Sequence, residues 1–156
     1  MRKIPLWLTF LTSCVCFNAS ATMAPESPLS LETQLPSGET LVVATGAGEA
    51  QSIGSYSVRL YHSTEDKNKR TFFASGLIAE RSGTLGSIEL IDLNENGQLE
   101  LLVITRSVGT GNYINAAAYA IEQDRISELL TLDDLAPEYD VIASIKHALL
   151  ANETDE

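Results

Sequence analysis

The sequence predicts an all-β fold, a β-sandwich of about seven to eight antiparallel strands, with a C-terminal helix. Three observations carry this expectation. Short runs rich in β-branched and aromatic residues recur from Thr40 to Leu132, each bounded by glycine or polar clusters. Two of these runs alternate residue by residue, the period of a half-buried strand. The last stretch changes period: Val141, Ile142, Ile145, Ala148 and Leu149 recur at helical spacing through a segment free of Gly and Pro.

In chain order, residues 1–21 read as an export signal. Arg2 and Lys3 form a positive start, Ile4 to Phe17 is largely apolar, and Ala19-Ser20-Ala21 supplies the small-x-small cleavage pattern. Leu11-Thr12-Ser13-Cys14 also reads as a lipoprotein box, so lipid anchoring through Cys14 is the alternative to free release into the periplasm. The apolar stretch is short of the ~20 residues that a membrane-spanning helix needs, and no membrane span is expected elsewhere. Residues 22–39, with Pro25, Pro28 and Pro36 among Ser, Glu and Thr, read as a flexible N-terminal arm. Residues 40–156 read as one sandwich domain.

Within that domain Leu41–Thr45 is the first strand. Ser55–His62 is the second, with Tyr56, Val58, Leu60 and His62 on one face. Thr71–Ile78 is the third, with Gly76 a bulge or bend. Ser87–Leu93 alternates again. Leu99–Thr105 is an unbroken apolar run that fits a strand buried on both faces. Asn112–Glu122 and Ile126–Leu132 follow, divided by Gln123-Asp124-Arg125. The helix is expected over Tyr139–Ala151, after Pro137.

Composition narrows the function. The 156 residues carry 10 Lys and Arg against 21 Asp and Glu, a net charge of −11. Binding to nucleic acid is not expected, because it needs a concentrated excess of basic side chains. Cleavage after Ala21 removes both cysteines, the only tryptophan, Arg2 and Lys3, raising the charge to −13. The mature chain then offers no disulfide, no thiolate metal ligand and no cysteine nucleophile.

Catalysis finds little support. His62 and His147 show no metal-ligand spacing, and the chain has neither a GxSxG elbow nor a phosphate-binding glycine fingerprint. An uncharacterised hydrolase using scattered carboxylates is a third-ranked alternative. Two loops are more informative. Asp92-Leu93-Asn94-Glu95-Asn96-Gly97-Gln98-Leu99-Glu100 spaces side-chain oxygens as calcium loops do, with Asp92, Asn94, Asn96 and Glu100 as candidate ligands. The competing reading is a plain turn in which Asn96-Gly97 closes a hairpin. The bidentate Glu of an EF-hand would fall on Val103, so the match is partial.

The second loop is Ser107-Val108-Gly109-Thr110-Gly111-Asn112-Tyr113. Its two glycines allow another surface to approach closely. Thr110 and Asn112 offer short hydrogen-bonding groups, and Tyr113 is a residue type enriched at binding hot spots. Tyr113 is either presented by this loop or buried in the next strand.

Three blocks together resemble the bacterial periplasmic inhibitors of invertebrate-type (i-type) lysozymes. They are Gly54-Ser55-Tyr56-Ser57-Val58-Arg59-Leu60-Tyr61, Asp92–Gly97 with Glu100-Leu101, and Thr105-Arg106-Ser107-Val108-Gly109-Thr110-Gly111-Asn112-Tyr113. The resemblance implies an inhibitor and not an enzyme, a β-sandwich, and a homodimer. It implies that a loop ending in tyrosine enters the lysozyme's substrate cleft and meets its catalytic carboxylates. On this chain the loop is Ser107, Gly109, Thr110, Gly111, Asn112 and Tyr113. The family's serine three residues before the tyrosine falls on Thr110, which keeps the hydroxyl and adds a methyl group. The alternative function is a calcium-dependent exported β binding module organised around Asp92–Glu100.

Overall fold

The computed structural model describes residues 29–153; the segment read as an export signal, with Cys14, and residues 22–28 of the expected arm lie outside them. Eight antiparallel strands form two four-stranded sheets, each a simple meander. The first sheet holds β1 (Ser30–Gln34), β2 (Thr40–Thr45), β3 (Ile53–Tyr61) and β4 (Phe73–Ser82), in that order. The second holds β5 (Thr84–Ile91), β6 (Glu100–Arg106), β7 (Ile114–Glu122) and β8 (Arg125–Leu135). Helix α1 (Val141–Glu153) follows.

The two sheets face each other across one apolar layer. Leu41, Val43, Tyr56, Val58 and Leu60 from the first sheet meet Leu85, Leu101, Val103, Ala117 and Tyr119 from the second. A separate layer lies on the far side of the second sheet. There Leu102, Ile104, Ile114, Ala116 and Ala118 pack under Ile145 and Leu149 of α1. β6 is therefore covered on both faces, as its unbroken apolar run predicts. The alanines of β7 keep both faces thin: Ala117 towards the first sheet, Ala116 and Ala118 under the helix. Asp140 caps α1, its Oδ1 accepting the Ala143 amide at 3.1 Å.

Four expectations need correction. The arm is not loose over its second half: Ser30–Gln34 pairs with Thr40–Ala44 as the edge strand β1. Its Ser, Glu, Thr and Gln are polar because an edge strand beside solvent buries little more than Leu31. His62 lies beyond the end of β3 and is exposed; Asp124 stands 3.4 Å away. The bulge in β4 falls at Ala74, between Phe73 and Ser75, and not at Gly76. Asn96-Gly97 does not close a two-residue turn, because Ile91 pairs with Glu100 and eight residues separate them.

A single residue, Gly83, carries the chain from the first sheet to the second. Its φ of +97° lies in the region where a Cβ is disfavoured. This crossing decides which loops share one end of the sandwich. Ser82 pairs with Ile53, Thr84 with Arg106, Arg106 with Ile114, and Ile114 with Leu135. The β2–β3, β6–β7 and β8–α1 connections therefore emerge together.

A candidate binding surface at one end of the sandwich

The β6–β7 connection is the seven-residue loop Ser107–Tyr113. The Ser107 amide donates to the Tyr113 carbonyl at 2.8 Å and closes its base, and Asn112 takes a φ of 48°. A Cβ at Gly111 would meet the Tyr113 ring, which would then have to shift from its place against the loop. The ring lies against Gly111 and stays 46% exposed, so Tyr113 is not buried in β7. Val108, Gly109, Thr110 and Asn112 are exposed as well. Among the described residues the Thr110 hydroxyl makes no hydrogen bond, which leaves it free to donate to a partner.

The rest of the crossing holds this loop in place. The Ser82 carbonyl accepts the Thr105 hydroxyl at 3.3 Å and the Asn115 amide at 3.0 Å, one on each strand leading into the loop. Asn115 Oδ1 in turn accepts the Asp134 amide at 2.8 Å. Gly83 is packed so closely on Arg106 and Ser107 that no side chain fits. Sequence reasoning did not single out Ser82, Gly83 or Asn115; the Ser-Gly turn signal after a strand was the available clue.

The Asp92–Glu100 loop uses its oxygens differently. Asp92 Oδ2 accepts the Gly97 amide at 2.9 Å, Asn94 Oδ1 the Asn96 amide at 3.3 Å, and Asn96 Oδ1 the Gln98 amide at 2.7 Å. Glu100 Oε2 accepts the Leu93 amide at 2.8 Å. All four candidate ligands thus bond to backbone amides of their own loop. Leu93 is fully buried under α1, so these bonds seat it there. Burial pushes the Glu100 carboxyl above the ordinary carboxylate range, against the opposing pull of the Leu93 amide. Among the described residues no group of three or more His, Cys, Asp or Glu is placed to hold a metal ion. Asp92 Oδ1 is buried without a hydrogen-bond partner.

A cleft of about 770 Å³ opens beside this crossing, where the sheets part between β4 and β8, with Ile53, Ser82, Thr105 and Asn115 among the residues that line it. Tyr56 and Tyr119 line it, their hydroxyls 2.5 Å apart, and burial pushes both phenols above their ordinary range. The Ser107–Tyr113 loop takes no part in this cleft.

Comparison with known proteins decides the family. A family model described as the periplasmic lysozyme inhibitor of I-type lysozyme matches residues 29–149. The chain belongs to this family. Its members are protein inhibitors of lysozyme, periplasmic ones, and not enzymes. Among solved structures, the inhibitor of this family from Aeromonas hydrophila is 35% identical, with a TM-score of 0.71 over 75% of this chain and 98% of that one. The Aeromonas hydrophila inhibitor in complex with Meretrix lusoria lysozyme is also 35% identical, with a TM-score of 0.70 over 76% of this chain and 95% of that one. Among curated proteins none matches the chain. The fold expected from the sequence, strands in two sheets with one C-terminal helix, is that of these inhibitors.

Proposed function

We propose that this protein inhibits an i-type lysozyme by placing the Ser107–Tyr113 loop in the enzyme's substrate cleft. The observation that carries the reading is the loop's geometry: closed at its base, mounted on two strands, with Tyr113 and the unpaired Thr110 hydroxyl facing outward. Family membership and the solved lysozyme complex of a relative support the choice of partner. A hydroxyl donating to a cleft carboxylate makes a charge-assisted bond, roughly twice as strong as a neutral one. With Tyr113 filling a neighbouring subsite, substrate is excluded without any covalent chemistry.

The test is cell-wall lysis followed by turbidity, with i-type, chicken-type and goose-type lysozymes in parallel. Selective inhibition of the i-type enzyme is expected. Tyr113→Ala should weaken binding by ~2 kcal/mol or more, the loss typical of a hot-spot aromatic. Unchanged affinity in a folded variant would remove the loop from the mechanism. The same reading has the protein free in the periplasm as a homodimer. A lipid mass on Cys14, or a monomer by light scattering, would correct those two points.

A second reading, the calcium-dependent module, is favoured only by the partnerless Asp92 Oδ1. It predicts a higher melting temperature with Ca²⁺. A melting curve unmoved by Ca²⁺ and by EDTA sets it aside.

A further inference from the structure

The Ser107–Tyr113 loop does not stand alone at its end of the sandwich. Ile53 at the start of β3 is 69% exposed, and Tyr139 before α1 is 61% exposed. With Val108 and Tyr113 they place four exposed large apolar side chains around one set of loop bases. Apolar groups gathered on one surface mark interaction sites, whereas the same residues scattered singly do not.

The neighbouring β2–β3 connection, residues 46–52, is built to stay fixed. Arg81 is buried, and its guanidinium donates to the carbonyls of Ala50 at 2.9 Å, Gln51 at 2.7 Å and Ser55 at 3.3 Å, and to that of Gly83. Glu49 stands 3.9 Å from the same guanidinium and accepts the Ser55 amide at 2.5 Å and hydroxyl at 2.7 Å. Those two bonds, with Arg81 alongside, hold the Glu49 carboxyl below the ordinary carboxylate range. Gly54 leaves the room this pair occupies. A buried cation is costly unless its donors are satisfied, and here they are satisfied by backbone carbonyls of the loop, of Ser55 and of Gly83.

Gly83 joins the two loops. Its amide donates to the Ser52 carbonyl at 2.9 Å, while its Cα side rests on Arg106 and Ser107. The spacing of the two loops is thus set by one turn. The segment Gly46-Ala47-Gly48-Glu49-Ala50-Gln51-Ser52 carries mostly small side chains, which lets a partner's surface come close.

We infer that the β2–β3 loop, with Ile53 at its foot, is a second lysozyme-contacting element held in register with Ser107–Tyr113 by Arg81 and Gly83. This rests on the reading that Ser107–Tyr113 is the inhibitory loop. Its occupant is the rim of the lysozyme cleft beside the point where Tyr113 enters, with Ile53 against apolar surface there. Such preorganisation lowers the ordering cost of binding.

The experiment is binding kinetics of the full mature chain with an i-type lysozyme. Ile53→Ser is expected to raise Kd about tenfold with an unchanged melting temperature, because the side chain is exposed. Ile78→Ser is the control: Ile78 is 78% exposed but sits mid-strand on β4, and Kd should stay the same. Arg81→Lys retains the charge without the fork that reaches several carbonyls. It should raise Kd and speed amide exchange over residues 46–55 while sheet β5–β8 stays protected. If Tyr113→Ala weakens binding and Ile53→Ser does not, the composite surface is wrong and the inhibitory loop stands. If neither weakens binding, the loop reading itself fails. Equal losses from Ile53→Ser and Ile78→Ser would mean a nonspecific apolar effect and overturn the inference.

Discussion

Gly83 meets two demands that no other residue type meets together. It holds a positive φ, and its missing side chain is where the Arg106 carbonyl and the Ser107 backbone come to rest. Gly83→Ala should therefore combine backbone strain with a backbone clash, costing on the order of 1–3 kcal/mol or more. Urea unfolding would measure it, and a loss below ~0.5 kcal/mol would show that the crossing relaxes freely. Gly111 serves a different end, since the Tyr113 ring fills the space its side chain would take. Tyr113, Thr110 and Asn112 were legible in the sequence by residue type alone. Arg81 was not: a basic residue at a strand end reads as a solvated charge until the carbonyls of Ala50, Gln51 and Gly83 are seen around it.

At the scale of elements, α1 and the Asp92–Glu100 loop act as a unit. The loop seats Leu93 under the helix, and Glu95 reaches Lys146 on α1 at 3.9 Å. Ile145 is fully buried in that layer, so Ile145→Ala should lose about 2–5 kcal/mol by leaving a cavity. A cost under ~1 kcal/mol in denaturant unfolding would mean that the helix is only loosely docked. Glu100 gives this unit a pH dependence. Its folded pKa lies above the unfolded value of 4.5, so its contribution is fully present below pH 4.5 and is lost as pH rises through the raised folded value. Glu100→Gln keeps an acceptor for the Leu93 amide and removes the buried charge. It should melt higher than the parent at pH 7, with the difference gone below pH 4. Equal melting temperatures at both pH values would contradict the burial argument.

For the whole molecule, charge governs encounter more than fold. With 21 acidic and 10 basic side chains, the chain attracts cationic partners over distances that salt shortens. Association with a cationic lysozyme should slow by about an order of magnitude between low salt and ~0.5 M, while dissociation changes little. Stopped-flow binding at several ionic strengths would check this, and a flat association rate would leave the charge without a part in recognition. Among the described residues no helix is long and apolar enough to cross a membrane.

The sequence by itself determined most of the elements. Alternation wrote β3, the unbroken apolar run wrote β6, and helical spacing wrote α1, because each pattern is a local record of which faces a segment buries. It did not reveal β1, whose five residues are mostly polar and become a strand only because β2 offers a free edge. Nor could it show that the helix covers the second sheet, or that Gly83 brings three connections to one end. Those depend on pairings between residues far apart in the chain. Only packing in three dimensions selects among such pairings, so the mount of the candidate site belongs to the tertiary structure, while the loop it carries was written in the sequence.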